Sequence, residues 1–203
     1  MIKRKGLLIV VSGPSGAGKG TICKALLKRR DIDVSISATT REPRKGEIDG
    51  ENYHFLTKDK FEEKIANDEF LEYAKVYDNY YGTPKEYVLE KISRGEDVLL
   101  EIDIQGALQV REKYPEGIFV FILPPSMEEL KARIINRGSE TKESLEKRFS
   151  SAYGEIKYLK KYDYFIINDI IEDATDTLIS IIDAEKNRVD EDVEDIISNF
   201  RHN

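Results

Sequence analysis

Residues Leu7 to Thr21 read LLIVVSGPSGAGKGT. Five apolar residues run unbroken from Leu7 to Val11, and glycine then recurs at 13, 16, 18 and 20 around a single lysine, Lys19. A short, continuously apolar run is the mark of a strand covered on both faces, as in a parallel sheet. The stretch after the loop predicts a helix over residues 18–30. Its last residues, Lys28-Arg29-Arg30, suit the negative end of a helix dipole.

Gly13-x4-Gly18-Lys19, set between strand and helix, fits a phosphate-binding loop. Its residues are Gly13, Pro14, Ser15, Gly16, Ala17, Gly18, Lys19, Gly20 and Thr21. Glycines let the backbone curl so that successive N–H groups point at phosphate oxygens, and the following helix adds its positive end. Lys19 adds a mobile charge for β- and γ-phosphates. The motif usually carries a hydroxyl directly after the lysine to ligate Mg²⁺. Here Gly20 intervenes and Thr21 holds the hydroxyl, which leaves direct and water-mediated metal contact both open. Such a loop says that a nucleoside triphosphate binds, and nothing about the acceptor.

The rest of the composition narrows the class. The chain has 203 residues, 40% hydrophobic and 35% charged, enough for one globular domain with small inserts. Its net charge of −7 excludes nucleic-acid binding by bulk attraction, so an anionic ligand needs a local positive cluster. One cysteine has no intramolecular disulfide partner and fits a reducing cytoplasm. The apolar run at 7–11 is too short for a signal peptide or a membrane span.

Beyond the loop, residues 34–56 carry Pro43, Gly46 and Gly50 without helical period and read as short strands and turns. Thr57 reads as the N-cap of a helix over 58–67. Thr83-Pro84-Lys85-Glu86 reads as N-cap, first-turn proline and capping-box glutamate. Ser126 and Glu129 form a second capping box. Strands are expected at 98–100, 118–123 and 164–167, and a last helix at 173–186. The acidic tail from Asp190 has a helical apolar spacing. Strands alternating with helices argue an α/β fold with a parallel sheet flanked by helices.

The segments Thr39-Thr40-Arg41-Glu42-Pro43-Arg44, Gly50 to Phe55, Asn79 to Thr83, Glu101 to Gly106, Arg137 to Thr141 and Ile167-Asn168-Asp169 resemble the guanylate kinase family. The resemblance runs from about residue 7 to 183. It implies a P-loop core over 1–33, 86–134 and 156–203, a small mixed α/β GMP-binding insert over 34–85, and a mobile lid over 135–155. It implies ATP-dependent phosphorylation of GMP and dGMP, with Mg²⁺ as cofactor. Arg41, Arg44, Tyr53 and Tyr81 would hold the GMP phosphate. Ser37, Glu72, Thr83 and Asp103 would surround the guanine. Arg133, Arg137 and Arg148 belong to the lid and its hinges, and Arg137 and Arg148 would act on the transferring group. Glu101 is left for the metal shell with Thr21, and Asn168 and Asp169 for the adenine side.

The chemistry agrees. Two guanidiniums three residues apart, with a proline between, can clamp a dianion. The same spacing also suits a loop salt-bridged to Glu42 and Glu47. No general base is called for, because the acceptor oxygen is already ionised. A scaffold domain of guanylate-kinase type would lack the loop that is intact here, and a GTPase would carry a guanine-reading Asn-Lys-x-Asp that this chain lacks. ATP and GMP are the expected partners, and a homo-oligomer is left open.

Overall fold

The computed structural model describes residues 5–76, 78–136 and 153–189, with 193, 197 and 198 of the tail. Its centre is β1 (Leu8–Ser12), buried along its whole length. β1 pairs in parallel with β7 (Val98–Glu101) on one side and β8 (Ile118–Leu123) on the other. β2 (Asp33–Val34) and β9 (Tyr164–Ile167) complete a five-stranded parallel sheet in the order β2-β7-β1-β8-β9. Side chains of β1 alternate between two cores, as the period of a strand requires. Ile9 and Val11 pack with Ile22 and Leu26 of α1 (Lys19–Leu27) and with Leu178 and Ile182 of the last long helix (Ile171–Glu185). Leu8 and Val10 face the opposite way, towards Val88 and Ile92 of α3 (Lys85–Ser93) and Ala107 and Val110 of α4 (Ile104–Lys113). Cys23 is buried in the first core, where burial pushes its thiol up, so it is packing and not a nucleophile.

A second, mixed sheet is built from residues 38–84. β3 (Ala38–Thr39) runs parallel to β4 (His54–Phe55), and β6 (Asn79–Pro84) runs antiparallel to β3 and to β5 (Phe70–Val76). Phe61 of α2 (Lys58–Ala66) fills it, stacked on Phe70 at 4.4 Å and on Tyr80 at 5.3 Å between centroids. The sheet is tied to the larger body through α4: Gln109 accepts from the Tyr73 N–H and donates to its carbonyl, and Lys113 donates to the Phe70 carbonyl.

Thr57 caps α2 as expected, accepting from the Lys60 N–H. Ser126 likewise accepts from the Glu129 N–H at the start of α5 (Met127–Asn136), but Glu129 turns its carboxylate to Arg133, so the box is half formed. The expected cap at Thr83 is corrected. Thr83 is the buried fifth residue of β6, its hydroxyl is engaged by Glu72, and Pro84 precedes the helix with no side-chain cap. The first helix ends at Leu27 instead of residue 30. The tail helix expected beyond 190 falls mostly outside the described residues.

Candidate active site

The crevice lies at the carboxyl ends of β1 and β7, whose following helices α1 and α4 pack on opposite faces of the sheet. Ligands of open α/β sheets gather at such switch points. The loop after β1 begins at Gly13 (φ +139), pressed so closely on β8 that a Cβ there would meet the Ile122 carbonyl oxygen at 2.3 Å. Lys19 folds back over the loop and donates to the Gly13 and Pro14 carbonyls at 2.7 and 3.1 Å. Burial pulls its ammonium below the usual lysine range, while Glu101, Glu155 and Asp103 pull back.

The glycine at position 20 now has a reason. A Cβ there would stand 3.1 and 3.3 Å from the two Glu101 carboxylate oxygens. Glu101, at the end of β7, occupies the flank where a side chain at 20 would go. Thr21 and Glu101 share a cavity of about 600 Å³ with Gly18 and Lys24. Among the described residues no group of three or more His, Cys, Asp or Glu could hold a metal. One hydroxyl and one carboxylate fit a Mg²⁺ ion, which keeps most of its waters and takes its other ligands from phosphates.

A second cavity, about 270 Å³, is lined by Ser37, Tyr53, Glu72, Tyr81, Glu101 and Asp103. Five of the residues assigned to GMP by resemblance therefore meet in one place, from the approaches to β3 and β4, from β5 and β6, and from the β7–α4 turn. Glu72 is 5% exposed, its Oε1 accepting from the Thr83 hydroxyl at 2.7 Å across the β5–β6 pair. Burial pushes its carboxyl up to about 7, against the pull of Thr83 and with a push from Asp103. Gly106 makes room for it: a Cβ there would lie 2.7 Å from Glu72 Oε2. Asp103 caps α4, its Oδ1 accepting from the Gly106 N–H at 2.8 Å.

Arg41 is not among the lining residues but lies against one of them, Tyr53. Its guanidinium sits over the Tyr53 ring at 5.5 Å and over the Phe55 ring at 5.8 Å. It donates to Glu47 at 2.9 Å and to the Glu42 carbonyl at 2.7 Å. The other Glu47 oxygen accepts from the Arg44 N–H, which leaves the Arg44 side chain exposed. The salt bridge expected of this loop is formed: Glu47 holds Arg41 against the Tyr53 ring. Arg133 pairs with Glu129 and reaches to 3.9 Å from the Cβ position of Gly18. Asn168 is buried against Ala17, and Asp169 is exposed. Arg137, Arg148 and nearly all of the expected lid lie outside the described residues.

Two participants escape a reading of the sequence. Gly106 is an ordinary helical glycine until Glu72 is seen beside it. Glu155 is one acid in a charged stretch, yet its half-buried carboxylate lies close enough to Lys19 for each to act on the other's charge, and burial pushes it up.

The family model for guanylate kinase matches residues 5–185. The guanylate kinase of Clostridium acetobutylicum is 65% identical over 196 residues, covering 97% of this chain and 94% of that protein. That of Clostridioides difficile is 58% identical over 202 residues, covering 99% and 98%. A crystal structure of guanylate kinase from Anaplasma phagocytophilum superposes with a TM-score of 0.76 at 34% identity, covering 93% of this chain and 90% of that one.

Proposed function

The chain belongs to the guanylate kinase family, and from that premise we propose how its residues divide the work of phosphorylating GMP with ATP. The enzyme moves a phosphoryl group between two nucleotides, which asks the protein for position and charge neutralisation. The observation that carries the division is Glu101: it lines both cavities, so donor and acceptor sites meet at the end of β7.

On the donor side the loop N–H groups and Lys19 hold the ATP phosphates. Thr21 and Glu101 would hold Mg²⁺, directly or through water, and the ion would supply further neutralisation of phosphate charge. On the acceptor side Arg41 exchanges Glu47 for the GMP phosphate and the exposed Arg44 side chain joins it, with the Tyr53 and Tyr81 hydroxyls as neutral donors. Ser37, Glu72 and Asp103 take the guanine edge. Thr83 acts on the base through Glu72, which it holds in place. Arg133 flanks the loop, and Arg137 and Arg148 would reach the transferring group. Residues 34–85 form the acceptor unit, 135–155 the lid, and 1–33, 86–134 and 156–203 the core. No described helix is long and apolar enough to cross a membrane. ATP and GMP as substrates, and one buried thiol, support a cytoplasmic enzyme.

Guanine offers N1–H and a 2-amino group on one edge, two donors for two carboxylates, and adenine offers an unprotonated N1 there. GMP and dGMP, which share that edge, are therefore the acceptors. A coupled assay with ATP and each of GMP, dGMP, AMP, CMP and UMP tests this. Turnover of GMP and dGMP alone is expected, and AMP turnover matching GMP would overturn the acceptor map.

A further inference from the structure

The Asn168 side chain has a partner that an adenine contact does not require. β8 and β9 run in register up to Leu123 and Ile167, and the Asn168 N–H extends that ladder to the Leu123 carbonyl at 2.8 Å. The backbone is thereby fixed at the mouth of the crevice. From there the side chain, 3% exposed, donates its Nδ2 to the carbonyl of Ala17 at 2.8 Å. Ala17 is itself fully buried in the middle of the phosphate loop. The next residue, Gly18, has φ +92, and a Cβ on it would stand 2.1 Å from the same Nδ2. The Asn168 amide and the Gly18 backbone therefore fit each other closely, and the Oδ1 finds no partner among the described residues.

A peptide unit is planar and trans, so its C=O and N–H point in opposite directions. Holding the Ala17 carbonyl on Asn168 turns the Gly18 N–H the other way. We propose that Asn168 is a positioning residue for the phosphoryl donor: it fixes the Ala17–Gly18 peptide so that the loop presents its N–H groups to phosphate before ATP arrives. It acts on ATP through the loop backbone and not on the adenine ring. The inference rests on the loop being the ATP phosphate site. Arranging those donors in advance removes an ordering cost from binding and keeps them aimed as charge develops in the transition state.

The test uses two ligands, ADP and inorganic tripolyphosphate, which share phosphates but not a base, and two variants. Asn168→Ala removes the amide. Asn168→Asp keeps the shape and an acceptor oxygen but loses the donor to Ala17. Leaving a buried carbonyl unpaired is expected to weaken ADP and tripolyphosphate alike, on the order of tenfold in Kd, for both variants. GMP affinity should stay within about twofold, which a general loss of folding would not allow. If ADP weakens and tripolyphosphate does not, or if Asn168→Asp binds ADP as the parent does, Asn168 reads the base and the proposal is wrong. Unchanged affinity for both ligands in both variants is equally fatal to it. Lys19→Ala serves as the control for the underlying reading. If that variant also binds both phosphates normally, the donor site itself lies elsewhere.

Discussion

The two halves of the site are built from different materials. In the proposed map the donor half is mostly backbone: a loop shaped by glycines pressed against Ile122 and Asn168, with one partly buried lysine lying over it. The acceptor half is mostly side chain: a buried carboxylate, a capping carboxylate and an arginine held by Glu47 around one cavity. Phosphate is alike on every nucleotide, so fixed N–H groups serve for all of them. A base must be told from other bases, which takes charged acceptors kept short of water. The cost of that desolvation shows at Glu72, whose carboxyl burial pushes up to about 7.

If the halves are separate, damage to one should leave the other intact. Lys19→Ala should lower kcat on the order of 10³-fold, as loss of a donor to developing charge does, with GMP affinity within about twofold. Calorimetry showing lost GMP binding in the folded variant would break the division. Arg41→Ala should raise the GMP KM and lower kcat, on the order of a hundredfold together in kcat/KM. Arg44→Ala should do the same more weakly, since its side chain is exposed and lies outside the cavity lining. Steady-state kinetics should find the ATP KM little changed in both, and wild-type values for both parameters would reduce the segment to a surface loop.

The acceptor half should also answer to pH. Burial pushes Glu72 up to about 7, above its ordinary 4.5, and the proposed guanine contact needs it ionised. GMP affinity should therefore fall as pH drops below about 7, by up to about tenfold per pH unit. Guanosine is the right probe, because it lacks the titrating phosphate. The stability of the free protein has the same root. A raised carboxyl favours the folded state while protonated, so stability present below the ordinary glutamate range is lost as pH rises through about 7. Glu72→Gln should flatten both profiles, and a pH-dependent guanosine affinity that survives in it would assign the effect to another group. Thr83→Val is the smallest change. It removes the hydroxyl from Glu72 while keeping the shape, and should raise the GMP KM by about fivefold. An unchanged KM would mean that Glu72 holds its place without help.

How far the sequence alone reaches differs between the halves in the same way. The donor half is written in consecutive residues: an apolar strand, then the glycines, Lys19 and a helix, found in that order though the helix stops at Leu27. The acceptor half is written in residues far apart. Glu72 is ambiguous from its neighbours because Phe70, Leu71 and Glu72 are all buried in succession, and a bulge at that point breaks the alternation of β5. Thr83 looks like a cap because threonine, proline and glutamate make a local signal. Tertiary burial beside Glu72 outweighs it. The glycine at 20 stays unexplained until β7 brings Glu101 alongside.

The central claim is that two carboxylates read the base. Glu72→Gln with Asp103→Asn tests it with little harm to the fold, since glutamine still accepts from Thr83 and asparagine is a good helix cap. The measurement is the ratio of kcat/KM for GMP over AMP. It should shrink by an amount on the order of 2–5 kcal/mol, chiefly through loss of GMP activity. A double variant that keeps the parent's ratio would contradict the claim, and the guanine would have to be read by other groups.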